Sequence, residues 1–227
     1  MGIIRTKDLY RVYRETKVPV HAVNGISIDF DEAEFTAIVG PSGSGKTTLL
    51  NMIGGLDSPT KGAVHINGTN VTKLSSKETT DFRLKNIGFV FQSFNLIPVL
   101  TALENVEFIM QLQGVKKTDR QKRARELLEA VGLEDKINSR PGDLSGGQQQ
   151  RVSVARALAS KPRFILADEP TASLDSKSTS ELLDIMMEMN EKYKTTFIFS
   201  THDQRVVDKA RRIVTIEDGK VVEDKNV

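Results

Sequence analysis

Lys46 sits near the end of Gly40-Pro41-Ser42-Gly43-Ser44-Gly45-Lys46-Thr47, a run that fits G-x-x-x-x-G-K-[ST]. Glycines let successive backbone N–H groups turn toward one polyanion. A helix opening from such a loop adds partial positive charge at its N-terminus. Lys46 brings a point charge to the outer phosphates. Thr47 brings a hydroxyl, an oxygen donor of the kind Mg²⁺ prefers. The phosphate-binding set runs on to Thr48. A Gly/Ser turn with an incidental Lys is the plain alternative. Context weighs against it, because Phe35–Val39 before the loop reads as a strand and Lys46–Ile53 after it as a helix.

Other polar residues follow apolar runs in the same way. Phe164–Ala167 leads into Asp168 and Glu169, and open α/β sheets bind ligands at that C-terminal edge. Asp168 suits Mg²⁺, held through water. Glu169 suits a general base that polarises an attacking water. Adjacent carboxylates can divide such roles when their environments differ. Gln92 follows Ile87–Phe91 and can ligate a metal or orient water. His202 follows Thr196–Ser200 and can touch a terminal phosphate. Ser145-Gly146-Gly147-Gln148 reads as an N-cap with a helix starting near Gln148, which makes a second anion site. One triphosphate needs one cradle, so a second suggests that two chains complete each other's sites. Taken alone, each of these is more often a cap, a turn or a surface residue. Their order, Lys46, Gln92, Ser145, Asp168/Glu169, His202, changes those odds.

The elements that must hold these residues alternate in type. Ile26–Phe30, Phe35–Val39, Ala63–Ile66, Ile87–Phe91, Phe164–Ala167 and Thr196–Ser200 read as strands. Lys46–Ile53, Leu103–Leu112, Thr118–Val131, Gln148–Ala159 and Ser178–Asn190 show helical spacing. That alternation implies an α/β fold with a mostly parallel sheet covered on both faces. Early strands within about residues 1–70 suggest an antiparallel side layer. The stretch of about residues 93–160 suggests a helical subdomain. The turns at Pro59, Gly62, Pro141 and Gly142 lie inside one domain spanning 1–227. The charged run Lys116–Glu129 reads as a solvated helix face.

Composition narrows the partners. Among 227 residues, 32 Lys+Arg against 30 Asp+Glu give a net charge of +2, too balanced for a chain that chiefly neutralises nucleic acid. With 38% hydrophobic and 27% charged residues the chain is globular rather than disordered. With Cys 0, disulfides, iron–sulfur clusters and thiolate zinc sites are excluded. No apolar run is long enough to span a bilayer. Met1–Tyr10 lacks the apolar core of a signal peptide.

With these motifs in order, the sequence resembles the nucleotide-binding subunit of ATP-binding-cassette (ABC) transporters over nearly its whole length. GPSGSGKTT matches Walker A, Gln92 the Q-loop, LSGGQ the signature and LADEP Walker B. Ser173-Leu174-Asp175 matches the D-loop, and His202 the switch histidine. The resemblance implies a P-loop NTPase: a RecA-like, mostly parallel sheet with an antiparallel β layer and a helical subdomain. It implies ATP and Mg²⁺ as ligands, with Tyr13 stacking on adenine. Thr47, Gln92 and Asp168 would serve the metal, and Glu169, His202, Gln92 and Lys46 the hydrolysis. It also implies a head-to-tail dimer, in which Ser145, Gly146, Gly147 and Gln148 of one copy meet the ATP of the other.

GGLDSPTKG, IGFVFQSFNLIPVLTALENV and GDLSGGQQQRVSVARAL look like the lipoprotein-release and macrolide-export (LolD-like, MacB-like) branch. That implies a separate membrane permease and a peripheral place on the cytoplasmic face of the membrane. The chain's end at Val227 fits a separate subunit, though a cut chain would look the same. Phe94, Leu96, Ile97, Pro98 and Leu100 could line a groove for a permease helix or simply join the core. Two departures from the family pattern are Ala33 and Ala172, where glycine is common. ABC ATPases that act on DNA or ribosomes are the alternative. The stretch between Gln92 and Ser145 is too short for their long coiled coils, and no nucleic-acid partner is expected. A phosphate-loop GTPase would need an Asn-Lys-x-Asp base reader, which is absent.

Overall fold

The computed structural model describes residues 2–14 and 18–227; Met1 and residues 15–17 of the expected 1–227 span lie outside the described residues. The chain forms two compact units, Met1–Arg83 with Thr196–Val227, and Leu84–Thr195.

The first unit opens with strands β1 (Ile4–Tyr13), β2 (Val20–Ile26), β3 (Asp29–Phe30) and β4 (Phe35–Val39). Helix α1 (Lys46–Ile53), β5 (Lys61–Ile66), β6 (Thr69–Asn70) and helix α2 (Ser76–Asn86) follow, α2 running past Arg83. An antiparallel sheet is ordered β2-β1-β5-β6, with β3 also on β1. Ile4, Thr6 and Leu9 are buried while Arg5 and Lys7 are exposed, the alternation of a half-buried strand. At Asp8 the strand bulges: its φ is 44°, and both neighbouring registers shift beside it.

The expected single strand Ile26–Phe30 is broken in two. Ile26 ends β2 and Asp29 begins β3. Side chains replace the missing ladder: Ile28 N donates to Thr6 Oγ1 at 2.8 Å, and Asp8 N donates to Ser27 Oγ at 2.9 Å. Ala33, at one glycine-like position, has φ 58°, so the alanine bears a left-handed backbone in the turn before β4. Ala172 is not among the positive-φ residues and needs no glycine.

The same unit closes with β9 (Thr196–Ser200), α7 (Gln204–Lys209), β10 (Arg212–Glu217) and β11 (Lys220–Asn226). Here β4 pairs in parallel with both β9 and β10, and β11 adds antiparallel to β10. Strands β4 and β9 are buried almost throughout, as strands covered on both faces must be. Phe35 packs on Phe197 and Phe199 with ring centroids 5.8 and 4.7 Å apart. Each buried ring contributes about 1.5–3 kcal/mol.

The second unit holds β7 (Ile87–Phe91), α3 (Ala102–Leu112), α4 (Lys117–Ala130), α5 (Gly146–Ala159), β8 (Phe164–Asp168) and α6 (Ser176–Tyr193). Strands β7 and β8 run parallel, and α3, α4 and α5 pack on one another. Thr101 starts α3 with a capping box closed by Glu104. The charged α4 buries only Ala124, Leu127 and Leu128. Helix α5 starts at Gly146, earlier than Gln148, because Ser145 caps it directly.

Candidate functional site

In the first unit, β4 delivers the chain into the Gly40–Thr48 loop, and α1 begins at Lys46. The loop cannot carry side chains at its tight points. A Cβ on Gly45, which has φ 102°, would lie 2.0 Å from the Ala22 carbonyl oxygen on β2. One on Gly40 would lie equally close, 2.0 Å, to the Ile216 carbonyl oxygen on β10. The loop is thus pressed against two sheets, which fixes its backbone. Pro41, Ser42 and Gly43 form its exposed rim.

Lys46 is buried, and its Nζ donates to the carbonyl oxygens of Gly40 and Pro41 at 2.9 Å each. Ser44 Oγ is buried with no hydrogen-bond partner among the described residues. A charged amine curled inside its own loop beside an orphaned hydroxyl is a site whose donors fit a phosphate. Thr47 lies on the exposed side of α1, with Thr48 half-buried beside it.

Two more expected residues share this unit. His202 lies just beyond β9 and is exposed; Ile38 pairs with Ser200, and Thr201 N donates to Ile38 O at 3.0 Å. The phosphate loop and His202 therefore leave neighbouring parallel strands at the same end. Tyr13, half-buried at the end of β1, is held rather than loose. Its Oη donates to Asp57 Oδ2 at 2.7 Å. Arg11 grips the same carboxylate at 2.8–2.9 Å and covers one face of the Tyr13 ring, 4.4 Å from the centroid. Burial works against the Arg11 charge, yet Tyr13 and Asp57 hold its guanidinium above the ordinary value. Sequence reasoning missed Arg11 and Asp57; their signal was a charge flanking Tyr13 and an acid in the Gly-Leu-Asp turn.

In the second unit, Gln92 follows β7 and is exposed, while Asp168 ends β8 and Glu169 follows it, both half-buried. Glu169 has φ 47°, an uncommon backbone for a non-glycine residue and one that costs energy to hold. Ser145 caps α5: its Oγ accepts from Gln148 N at 3.3 Å, and Gln148 Oε1 accepts from Ser145 N at 2.9 Å. The Gln148 carboxamide is thereby turned back onto the cap. The Ser145 hydroxyl keeps its proton for another acceptor, and the N–H groups of Gly146 and Gly147 precede any intrahelical acceptor. Gly147 is packed against α6, since a Cβ there would lie 2.9 Å from Ser178 Oγ.

The apolar stretch after Gln92 is a built loop. Phe94 and Asn95 have φ 54° and 51°, and the Arg156 guanidinium donates to both carbonyl oxygens, at 2.9 Å for Phe94. Burial lowers the pKa of Arg156 from its ordinary value. Asn105, fully buried, accepts from Ile97 N and donates to the carbonyls of Ile97, Leu100 and Thr101. Phe94, Leu96, Ile97 and Leu100 are half-buried, and Pro98 and Val99 are exposed. Neither Asn105 nor Arg156 was singled out from sequence, because a lone polar residue on a helix carries no local signal.

The ABC transporter family profile matches residues 23–172. An uncharacterised ABC transporter ATP-binding protein of Thermotoga maritima is 48% identical over 219 residues, covering 96% of this chain and 93% of that protein. The macrolide export ATP-binding/permease protein MacB of Hyphomonas neptunium is 44% identical, over 98% of this chain but 34% of its own length. A dimeric, post-hydrolysis structure of the cassette MJ0796 bound to ADP and Pi superimposes with a TM-score of 0.90, 42% identity and 98% coverage of both chains. MJ0796 is a Methanocaldococcus jannaschii protein.

Proposed function

The chain belongs to the ABC transporter family and is an ATP-hydrolysing nucleotide-binding subunit; on that premise we propose that two copies close head to tail around two ATP molecules and drive a separate membrane permease. The observation that carries this reading is the phosphate loop, with buried Lys46 on the loop's own carbonyls and Ser44 Oγ without a partner among the described residues. Gly40, Pro41, Ser42, Gly43, Ser44, Gly45, Lys46, Thr47 and Thr48 cradle the phosphates. Lys46 exchanges neutral carbonyl acceptors for phosphate oxygens, a stronger charge-assisted contact. The open face of the Tyr13 ring takes the adenine, its pose set by Asp57.

Phosphoryl transfer asks for placement and charge neutralisation more than covalent help. Glu169 orients and deprotonates the attacking water, Gln92 and His202 contact the terminal phosphate, and Lys46 offsets the charge that develops there. Thr47, Gln92 and Asp168 would hold Mg²⁺, which neutralises phosphate charge. Oxygen donors are what that ion takes, usually in few protein ligands plus phosphate and water.

Ser145, Gly146, Gly147 and Gln148 present donors at the tip of α5, and the relative MJ0796 is itself a dimer. We assign that tip to the nucleotide of the second copy. ATP then binds the closed pair better than the open one, and hydrolysis removes the shared ligand, which is a population shift. Residues 1–227 act as one cassette, with an antiparallel layer in about residues 1–70 and a helical part in about 93–160. No helix among the described residues is long and apolar enough to cross a membrane. In this reading the permease supplies the span, and the subunit sits peripherally on its cytoplasmic face. The loop from Phe94 to Leu100 is the permease contact. The test is affinity purification from detergent-solubilised membranes. A co-purifying permease whose yield falls on Val99→Asp supports the reading; recovery with ribosomes or DNA instead replaces it.

A further inference from the structure

Gln150 lies in the second turn of α5 with no exposed surface. Its Nε2 donates to Pro170 O at 2.7 Å and to Phe91 O at 3.1 Å. Both partners are carbonyls, which fixes the orientation of the carboxamide. Its Oε1 is buried with no hydrogen-bond partner among the described residues, so the bonds the carboxamide makes there are those of its N–H groups. Pro170 immediately follows Glu169, and Phe91 immediately precedes Gln92. Helix α5 itself begins at the Ser145 cap. One buried amide therefore links the backbone beside two proposed site residues to the helix whose tip is assigned to the second copy's nucleotide.

We propose that Gln150 is a positioning residue for hydrolysis, setting the backbone beside Glu169 and Gln92 according to where α5 stands. This rests on the site assignments proposed above. Glu169 holds a left-handed backbone that its own side chain does not favour, and the Pro170 carbonyl bonded to Gln150 sits directly after it. A helix seated by phosphate at its N-terminus holds both strand ends in register. An unseated helix lets them drift. Rate depends steeply on such placement, with about 1 Å worth up to about 100-fold.

The test uses steady-state ATP hydrolysis by the full chain. Gln150→Met keeps the length and removes the donors. It should lower kcat by about 10- to 100-fold while KM for ATP moves less than about threefold. Gln150→Glu, which keeps polarity but turns donors into acceptors, should do at least as much. The Gln150→Met and Gln92→Ala losses should combine to less than their product, since one acts through the other. Either variant with kcat within about twofold of the parent, or a loss shared equally by kcat and KM, overturns the proposal, as do multiplicative losses in the double variant. Glu169→Gln is assayed alongside. Near-normal hydrolysis there defeats the base assignment, whereas a Gln150 failure with a dead Glu169→Gln defeats only this inference.

Discussion

Phe91 and Asp168 are register partners at the C-terminal ends of two adjacent parallel strands, β7 and β8. Gln92 and Glu169 consequently leave one sheet edge side by side. The phosphate loop and His202 leave β4 and β9 in the same manner, with Ile38 opposite Ser200. The proposed site residues thus follow the ends of parallel strands, where open α/β sheets bind their ligands.

Lys46 is expected to carry much of the affinity for the nucleotide. Lys46→Ala removes a charge-assisted donor worth about 1.5–3 kcal/mol, so ATP affinity should fall by about 10- to 150-fold. Titration calorimetry against ATP checks this. An unchanged affinity would move the phosphate site elsewhere.

Tyr13 is expected to contribute through its ring. Tyr13→Ala should weaken ATP binding by about 1–3 kcal/mol and leave inorganic tripolyphosphate binding unaltered. Tyr13→Phe keeps the stacking face and loses only the bond to Asp57. It should therefore stay much closer to the parent in a fluorescent-nucleotide titration.

Gly45→Ala should collapse the loop. The new methyl would lie 2.0 Å from the Ala22 carbonyl oxygen at φ 102°, so the backbone must shift. A loss of about 2 kcal/mol or more in urea unfolding, together with loss of ATP binding, is the expected outcome.

Asp224 marks an acid-sensitive tie between β10 and β11. Hydrogen bonds from Arg212 at 2.7–2.8 Å lower its pKa from the ordinary carboxylate value. A depressed carboxylate stabilises the fold at pH values above its unfolded pKa, about 4, and that stability is lost as pH falls through the folded value. Asp224→Asn should thus be less stable than the parent near neutrality, with the gap closing below about pH 4. Denaturation midpoints across pH measure it.

The parts legible in sequence are those whose signal is local. Phe35–Val39, Ile87–Phe91 and Thr196–Ser200 announce themselves as apolar runs ending at polar residues, and the strands have those bounds. The loop at Gly40–Thr48 is legible because its chemistry needs glycine and lysine at fixed spacing. Other parts depend on distant partners. Helix α2 buries no side chain, so it has no apolar stripe to read; Glu78 accepting from Ser75 N and Oγ is its local support. Strand β1 is interrupted by charges around its bulge at Asp8. The gap after Ile26 is supplied by Thr6, far off in sequence. Asp57 and Gln150 acquire meaning only when folding brings Tyr13 to one and the Phe91 and Pro170 carbonyls to the other.

Shared ATP as the bond between two copies is the account's central claim, and the Glu169→Gln subunit tests it most directly. Its turnover should fall by about 10²- to 10⁴-fold with ATP binding intact. Sedimentation velocity should then find a dimer with ATP and a monomer without it, and Ser145→Arg should abolish the dimer while sparing ATP binding. A Glu169→Gln chain that remains monomeric at saturating ATP, alone and beside its permease, would contradict the account.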